Sequence, residues 1–483
     1  MNKSFRSKVT TAFKWSAFGT ISGRSMQFLG EIAVSRFLLP EDFGIIAIGL
    51  AVLNISEMLT ETGFASALVQ KQGNINKLLN TAWSMEVLKG LCLCILLLLF
   101  AYPISIFYND LRLHGVLSAI AILFLVRGCR NIGIVFFRKK LELHKQVFLD
   151  IFPYFAQLLI IIPLAYYLNN IWAIVIGIYI RRFVELFLTF NMHPYRPSFK
   201  IKINVLMELL EFGKWIFIIS IIGAFTKNLI PFFIGKKFDF QTLGYFNRAE
   251  IFSILLFSVL IHICWQVAYP MFSMIDKNKL NDLFADSIYL VSYFGFSIAS
   301  ILFLLSEDIV KLFLTNTWLK SIEMMNMLIL VGMLSFLSTL NGIILNAFGR
   351  PVLTAKIAFY TLIILLILIL PFSHYGGIYG LIISMIISSL FNLIYGWKLL
   401  SNNLNVKFIK VLFLILHSLI NAFFLFMSLL FIKYIFFIKI YLHTFFILLF
   451  VGVIIFIIFT FIWYRTIKIN NGIFKLIKPF YNS

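Results

Sequence analysis

Fourteen runs of mainly apolar residues follow one another along the chain with little between them. Each is about as long as a helix needs to cross a hydrocarbon core ~30 Å thick. They cover roughly 15–37, 43–66, 80–106, 114–137, 150–168, 171–190, 213–234, 246–270, 286–306, 322–348, 353–372, 376–397, 411–432 and 441–464. In lipid, backbone N–H and C=O groups find no water, so such runs are expected to be helices. Composition agrees. Of 483 residues, 61% are hydrophobic and 13% charged, against about 45–50% and ~25% in a soluble domain. A soluble enzyme, a nucleic-acid-binding domain and a disordered chain are excluded. The expected class is an all-α integral membrane protein with no extramembrane domain.

The net charge of +21 is read as a topology signal, because Lys and Arg gather on the cytoplasmic side. With the N-terminus inside, 25 of the 41 basic residues fall in cytoplasmic segments and 7 outside. The outer ones are Arg112, Lys236, Lys237, Lys311, Lys320, Lys433 and Lys439. Both termini are therefore expected to be cytoplasmic. Cys92, Cys94, Cys129 and Cys264 all lie in apolar runs and read as small core residues, without disulfide or metal spacing. The basic start, Met1 to Lys14, lacks a small-residue cleavage site after its apolar run, so a retained first helix is expected.

The chain also repeats. Pro40-Glu41-Asp42-Phe43-Gly44 is echoed two hundred residues later by Phe240-Gln241-Thr242-Leu243-Gly244. Arg138-Lys139-Lys140 after span 4 is echoed by Gly349-Arg350-Pro351 after span 10, and Leu168–Trp172 by Tyr375–Tyr379. The reading is two six-span lobes in parallel orientation, 1–195 and 196–400, followed by two further helices and a basic tail, 401–483. A parallel repeat of this kind places a substrate site between its halves.

Charge within a span is costly and normally faces a cavity or a partner. Nine basic residues lie there: Arg24, Arg36, Lys89, Arg127, Arg130, Arg181, Arg182, Lys227 and Arg248. On span 1, Ser16, Thr20, Arg24, Gln27, Glu31 and Ser35 are spaced three or four apart, which puts them on one helix face. Span 2 adds Asn54, Glu57 and Glu61, and span 7 adds Ser220, Gly223 and Lys227. Arg24 and Lys227 would thus offer one cation from each half to an anion such as phosphate, which suits the guanidinium fork. Arg248 at the outer mouth, Arg127 and Lys89 complete the candidate substrate-binding set. Glu31, Glu57 and Glu61 either balance these cations or carry a coupling H⁺ or Na⁺. Glu86–Lys89 and Arg181–Glu185 have spacings suited to intrahelical ion pairs. Pro40 is expected to stop span 1 and Asp42 to cap span 2. No catalytic constellation, nucleotide-binding motif or resident cofactor is indicated, so the chain reads as a non-enzyme.

Several of these segments resemble the bacterial polysaccharide flippases. These are the Wzx-type O-antigen and exopolysaccharide exporters of the multidrug/oligosaccharidyl-lipid/polysaccharide superfamily. The resemblance rests on Leu39-Pro40-Glu41-Asp42-Phe43-Gly44, Glu61-Thr62-Gly63-Phe64 and Ala67-Leu68-Val69-Gln70-Lys71. Leu243–Ala249 and Asn346–Pro351 extend it. It covers about residues 10–400. It implies two six-helix lobes with helices 13 and 14 appended, in the bacterial cytoplasmic membrane. It implies transfer of an undecaprenyl-pyrophosphate-linked oligosaccharide from inner to outer leaflet. It also implies a cationic cavity for the pyrophosphate, with Arg24 at a first-helix position that serves it. A polysaccharide polymerase and a chain-length regulator are the protein partners that fit; nucleic acid is not one. The number of membrane acids departs from a purely basic cavity. Two alternatives stand beside this reading. One is a multidrug exporter of the same superfamily. The other is an integral-membrane polymerase or glycosyltransferase, disfavoured by outer loops of at most about 16 residues.

Overall fold

The computed structural model describes residues 3–60, 76–139, 142–204, 207, 228–275, 280–404, 408–435, 447, 448, 450–452 and 454. Among them all the regular elements are helices, with no strand. It divides into two compact units, Met1–Asn247 and Arg248–Ser483. The first contains α1 (Lys3–Ser35), α2 (Pro40–Thr60), α3 (Asn76–Phe107), α4 (Arg112–Gly128), α5 (Val135–Lys139), α6 (Leu143–Leu168) and α7 (Trp172–Met192). Then α8 (Phe240–Met274) leads into α9 (Leu280–Phe313), α10 (Ser321–Ala347), α11 (Pro351–Leu404) and α12 (Phe408–Ile435). Seven helices among the described residues are long and apolar enough to cross a membrane.

Neighbouring helices run in the directions the span order requires. In the first unit α1 lies parallel to α6. Trp15 meets His144, Gly19 meets Val147, Gly30 meets Leu158 and Phe37 meets Tyr166. Spans 1 and 5 are both outward in the predicted order, so they should be parallel. α4 and α7, both inward, are also parallel: Tyr179 Oη donates to the Ala119 carbonyl at 2.6 Å, and the Asn131 N–H to Thr189 Oγ1 at 3.2 Å. α3 and α4 are consecutive and antiparallel. They touch backbone to backbone, since a Cβ on Gly90 or Gly128 would come within 2.6 Å of the Phe124 or Glu86 carbonyl oxygen.

The second unit obeys the same rule. Ser253 Oγ of α8 donates to the Met325 carbonyl of α10 at 3.0 Å, and Trp265 lies beside Gly342 further along both helices. α9 and α12 are parallel and joined at three levels. These are Ser292–Ser418 at 2.9 Å, Phe303–Phe426, and an ion pair between Lys433 and the buried Asp308 at 2.7 Å.

As one rod, the 54 residues of α11 would be about 80 Å long, more than twice the bilayer core. Instead they fold back on themselves. Arg350 donates to Asn403 at 2.7 Å, Tyr360 meets Tyr395, and Asn392 donates to Thr361 at 3.2 Å. The turn is at Gly377, with φ 58° and ψ −140°, a backbone region open essentially to glycine alone. The two arms are spans 11 and 12 of the sequence reading.

Two local expectations are met and two are revised. Pro40 opens α2, and the Asp42 carboxylate reaches back to accept the Leu39 N–H at 3.2 Å, half of a capping box. Asp239, just before α8, makes the other half, accepting the Thr242 N–H at 2.5 Å. Span 4, expected unbroken to residue 137, ends as a helix at Gly128. There the chain turns through Asn131, whose side chain accepts the Gly133 N–H at 2.9 Å and donates to the Tyr195 carbonyl at 2.7 Å. Asn131 is fully buried, and its side chain ties α4 to the extended segment after α7. Cys92, read as a core residue, is exposed on the helix surface, while Cys94 is buried; all four cysteines are free. Span 14 and the first two thirds of span 7 fall mostly outside the described residues.

Candidate functional site

The polar stripe of α1 has a direction. Trp15, Gly19, Gly30 and Phe37 centre about 130° round the helix from Arg24, Gln27, Glu31 and Ser35, and it is the first set that meets α6. The glycines let α1 approach closely, because a Cβ at Gly19 would sit 2.8 Å from Val147. The stripe is thereby turned away from that partner. Arg24 and Gln27 are exposed and Glu31 is half-buried. Ser35 is buried and donates to the Glu31 carbonyl at 2.6 Å. The side chains of Ser16, Thr20 and Glu57 lie outside the described residues, as do Glu61 and Lys227 entirely.

A second group of charges gathers where α3, α4, α6 and α7 meet. Lys89 donates to Glu86 at 2.7 Å, as its spacing predicts. Arg127 lies within electrostatic reach of both Lys89 and Arg130. Arg181 adds its field to Glu185, the partner its spacing suggested. Glu185 takes Arg182 at 3.1 Å on its own helix and Arg130 at 2.9 Å from the turn after α4. Arg181 also lays its guanidinium over the Tyr154 ring, 4.7 Å from the centroid, a cation–π contact. Asp150 on α6 adds its field to Arg130. Five cations thus gather around three carboxylates where these helices meet.

This arrangement joins Lys89 and Arg127, two members of the predicted binding set, and brings in Arg130 and Arg182. Intrahelical spacing could not reveal Arg130–Glu185, because Arg130 comes from the turn after α4 and Glu185 from α7. Arg248 is 3% exposed at the head of the second unit. Among the described residues no group of His, Cys, Asp and Glu is placed to hold a metal ion.

The Arg130–Glu185–Arg182 triad makes a direct prediction. Glu185 is the shared anion, so Glu185→Gln strands two half-buried guanidiniums side by side. Breaking such a group from one side costs on the order of 3 kcal/mol. The Glu185→Gln protein should unfold several degrees below wild type in a detergent melt, with Arg130→Gln added to it recovering part of the loss. Equal melting of wild type and Glu185→Gln would show that the triad carries no stability.

The family model described as "Polysaccharide biosynthesis protein" matches residues 33–323. The chain belongs to this family. Among relatives of similar sequence is the lipopolysaccharide biosynthesis protein WzxC of Escherichia coli (strain K12). It is 21% identical over 398 residues, covering 82% of this chain and 81% of that one. The teichuronic acid biosynthesis protein TuaB of Bacillus subtilis (strain 168) is 22% identical over 365 residues, 74% of each chain. Of solved structures, the lipid II flippase MurJ in an inward closed conformation aligns with TM-score 0.73 at 16% identity. It covers 94% of this chain and 99% of its own. An inward-facing multidrug MATE transporter aligns with TM-score 0.62 at 12% identity, over 80% of this chain and 99% of its own. This family member thus has the all-α fold of multi-pass membrane transporters.

Proposed function

We propose that this chain carries an undecaprenyl-pyrophosphate-linked oligosaccharide from the inner to the outer leaflet of the bacterial cytoplasmic membrane. The observation that carries the reading is the α1 stripe. A helix in lipid presents Arg24, Gln27 and Glu31 away from the face that packs on its partner, where a wet cavity or a polar ligand suits them. Arg24 would take the pyrophosphate, with Lys227, Arg248, Arg127 and Lys89 as further cations. The isoprenoid tail would remain in lipid. Exposing this stripe to each side of the membrane in turn moves the sugar across. Glu31, Glu57 and Glu61 would balance the cations or take a coupling H⁺ or Na⁺. Residues 1–195 and 196–400 would be the two repeated lobes, 401–483 an addition to them, and both termini would be cytoplasmic. Membership of the polysaccharide biosynthesis family favours a glycan over a drug as cargo. The names of relatives, among them the succinoglycan biosynthesis transport protein ExoT, favour transport over bond-making. A polymerase and a chain-length regulator are the partners such a product would next meet.

The test is the fate of the lipid-linked oligosaccharide in cells lacking the gene. Complete repeat units should accumulate on the inner leaflet while surface polysaccharide disappears. Missing or shortened units would overturn the reading and make the protein an enzyme of assembly.

A further inference from the structure

On α8 one helix face carries four residues that the charge-based reading passes over. His262, Trp265, Gln266 and Tyr269 follow the spacing that puts side chains on one side of a helix. The indole of Trp265 and the phenol of Tyr269 lie nearly parallel, 27° apart in plane with centroids 6.2 Å apart. They are 36% and 41% exposed, so the two rings form one continuous aromatic surface. Beside them Gln266 Nε2 and His262 Nε2 stand 2.8 Å apart in a hydrogen bond. That bond fixes the amide and the imidazole relative to the rings. Gly342 of α10 leaves room for the indole edge, 3.6 Å from where its Cβ would be.

We infer that this face binds a neutral sugar ring of the cargo. The inference rests on the proposed transport of a lipid-linked oligosaccharide. Lipid accounts for the aromatic rings but not for the rest. Trp and Tyr alone could be interfacial anchors. An imidazole and an amide held on the same face at membrane depth would be costly towards hydrocarbon. A pyranose presents both chemistries at once. Its C–H face stacks on aromatic rings, and its equatorial hydroxyls exchange hydrogen bonds with an amide and an imidazole. The face bears no charge, so it complements the basic groups that would take the pyrophosphate. In the orientation set by the basic loops α8 runs inward, which places the face towards the leaflet where the cargo is loaded.

The test uses the full-length protein in nanodiscs and two ligands. One is undecaprenyl pyrophosphate without sugar. The other is the sugar-bearing lipid extracted from cells lacking the gene. Trp265→Leu and Tyr269→Leu should each weaken binding of the sugar-bearing lipid about tenfold and leave bare undecaprenyl pyrophosphate unchanged. Trp265→Phe, which keeps an aromatic face, should recover most of the loss. Gln266→Leu should weaken only the sugar-bearing lipid, by a few-fold. Variants that bind both lipids like wild type, or lose both equally, overturn the inference and leave an interfacial anchor. Wild type that binds neither lipid overturns the proposed function and the inference together.

Discussion

Gly44→Ala and Gly244→Ala are each expected to lower the melting temperature of the purified protein by several degrees and to reduce its abundance in the membrane. A Cβ on Gly44 would overlap the backbone carbonyl of Phe240, and one on Gly244 would overlap the carbonyl of Pro40. The first turns of α2 and α8 therefore cross with main chain against main chain, and each glycine faces the first residue of the other helix. Alanine has no rotamer with which to escape, so the helix starts must move apart. Overpacking at sites that can shift costs about 1–3 kcal/mol, and here the obstacle is backbone. The surroundings resist the shift. Tyr108 Oη donates to the Phe232 carbonyl at 3.2 Å, Lys236 lies 4.1 Å over the Phe107 ring, and Gly235 fits against Ile48 and Tyr108.

Two comparisons make the result specific. Gly23→Ala on α1 should be neutral or slightly stabilising, because nothing lies within 4 Å of its Cβ position and alanine is the better helix former. The Gly44→Ala/Gly244→Ala double variant should lose less than the two single losses together, because the crossing is opened only once. Strict additivity would mean that the two glycines do not share one contact.

The same crossing shows where reading the sequence succeeds and where it stops. The two turns were visible as a repeat, and their proline, acid caps and glycines follow from local chemistry. That the two copies lean on each other was not visible, since periodicity describes one segment's faces and says nothing of a partner two hundred residues away. Span order was legible for a related reason. Each apolar run reverses direction, so the parallel pairs α1 with α6, α4 with α7 and α9 with α12 follow from counting crossings. The break at Gly128 was hidden by the apolar residues that continue past it, and only the buried Asn131 bonds explain it. The triad at Glu185 was hidden because ion pairs between separate segments leave no fixed spacing. The aromatic face of α8 was overlooked because its residues carry no net charge.

Arg24→Ala should cut surface polysaccharide ten- to a hundredfold in a deletion strain while leaving protein abundance and melting temperature unchanged. The separation of the two effects follows from geometry. Arg24 lies on the exposed side of α1, while the fold depends on the side where Gly19 and Gly30 meet α6. Removing the guanidinium therefore costs no packing there. On the proposed function it removes a charge-assisted contact to phosphate, worth about 1.5–3 kcal/mol, and each 1.4 kcal/mol is roughly tenfold. Arg24→Lys should fall between, because lysine keeps the charge but loses the planar fork that grips two oxygens. Gly19→Leu is the complementary variant. It leaves the stripe intact and forces α1 off α6, so it should reduce abundance and transport together. Full complementation by Arg24→Ala at normal expression would remove Arg24 from the binding site, whatever else on α1 the stripe serves.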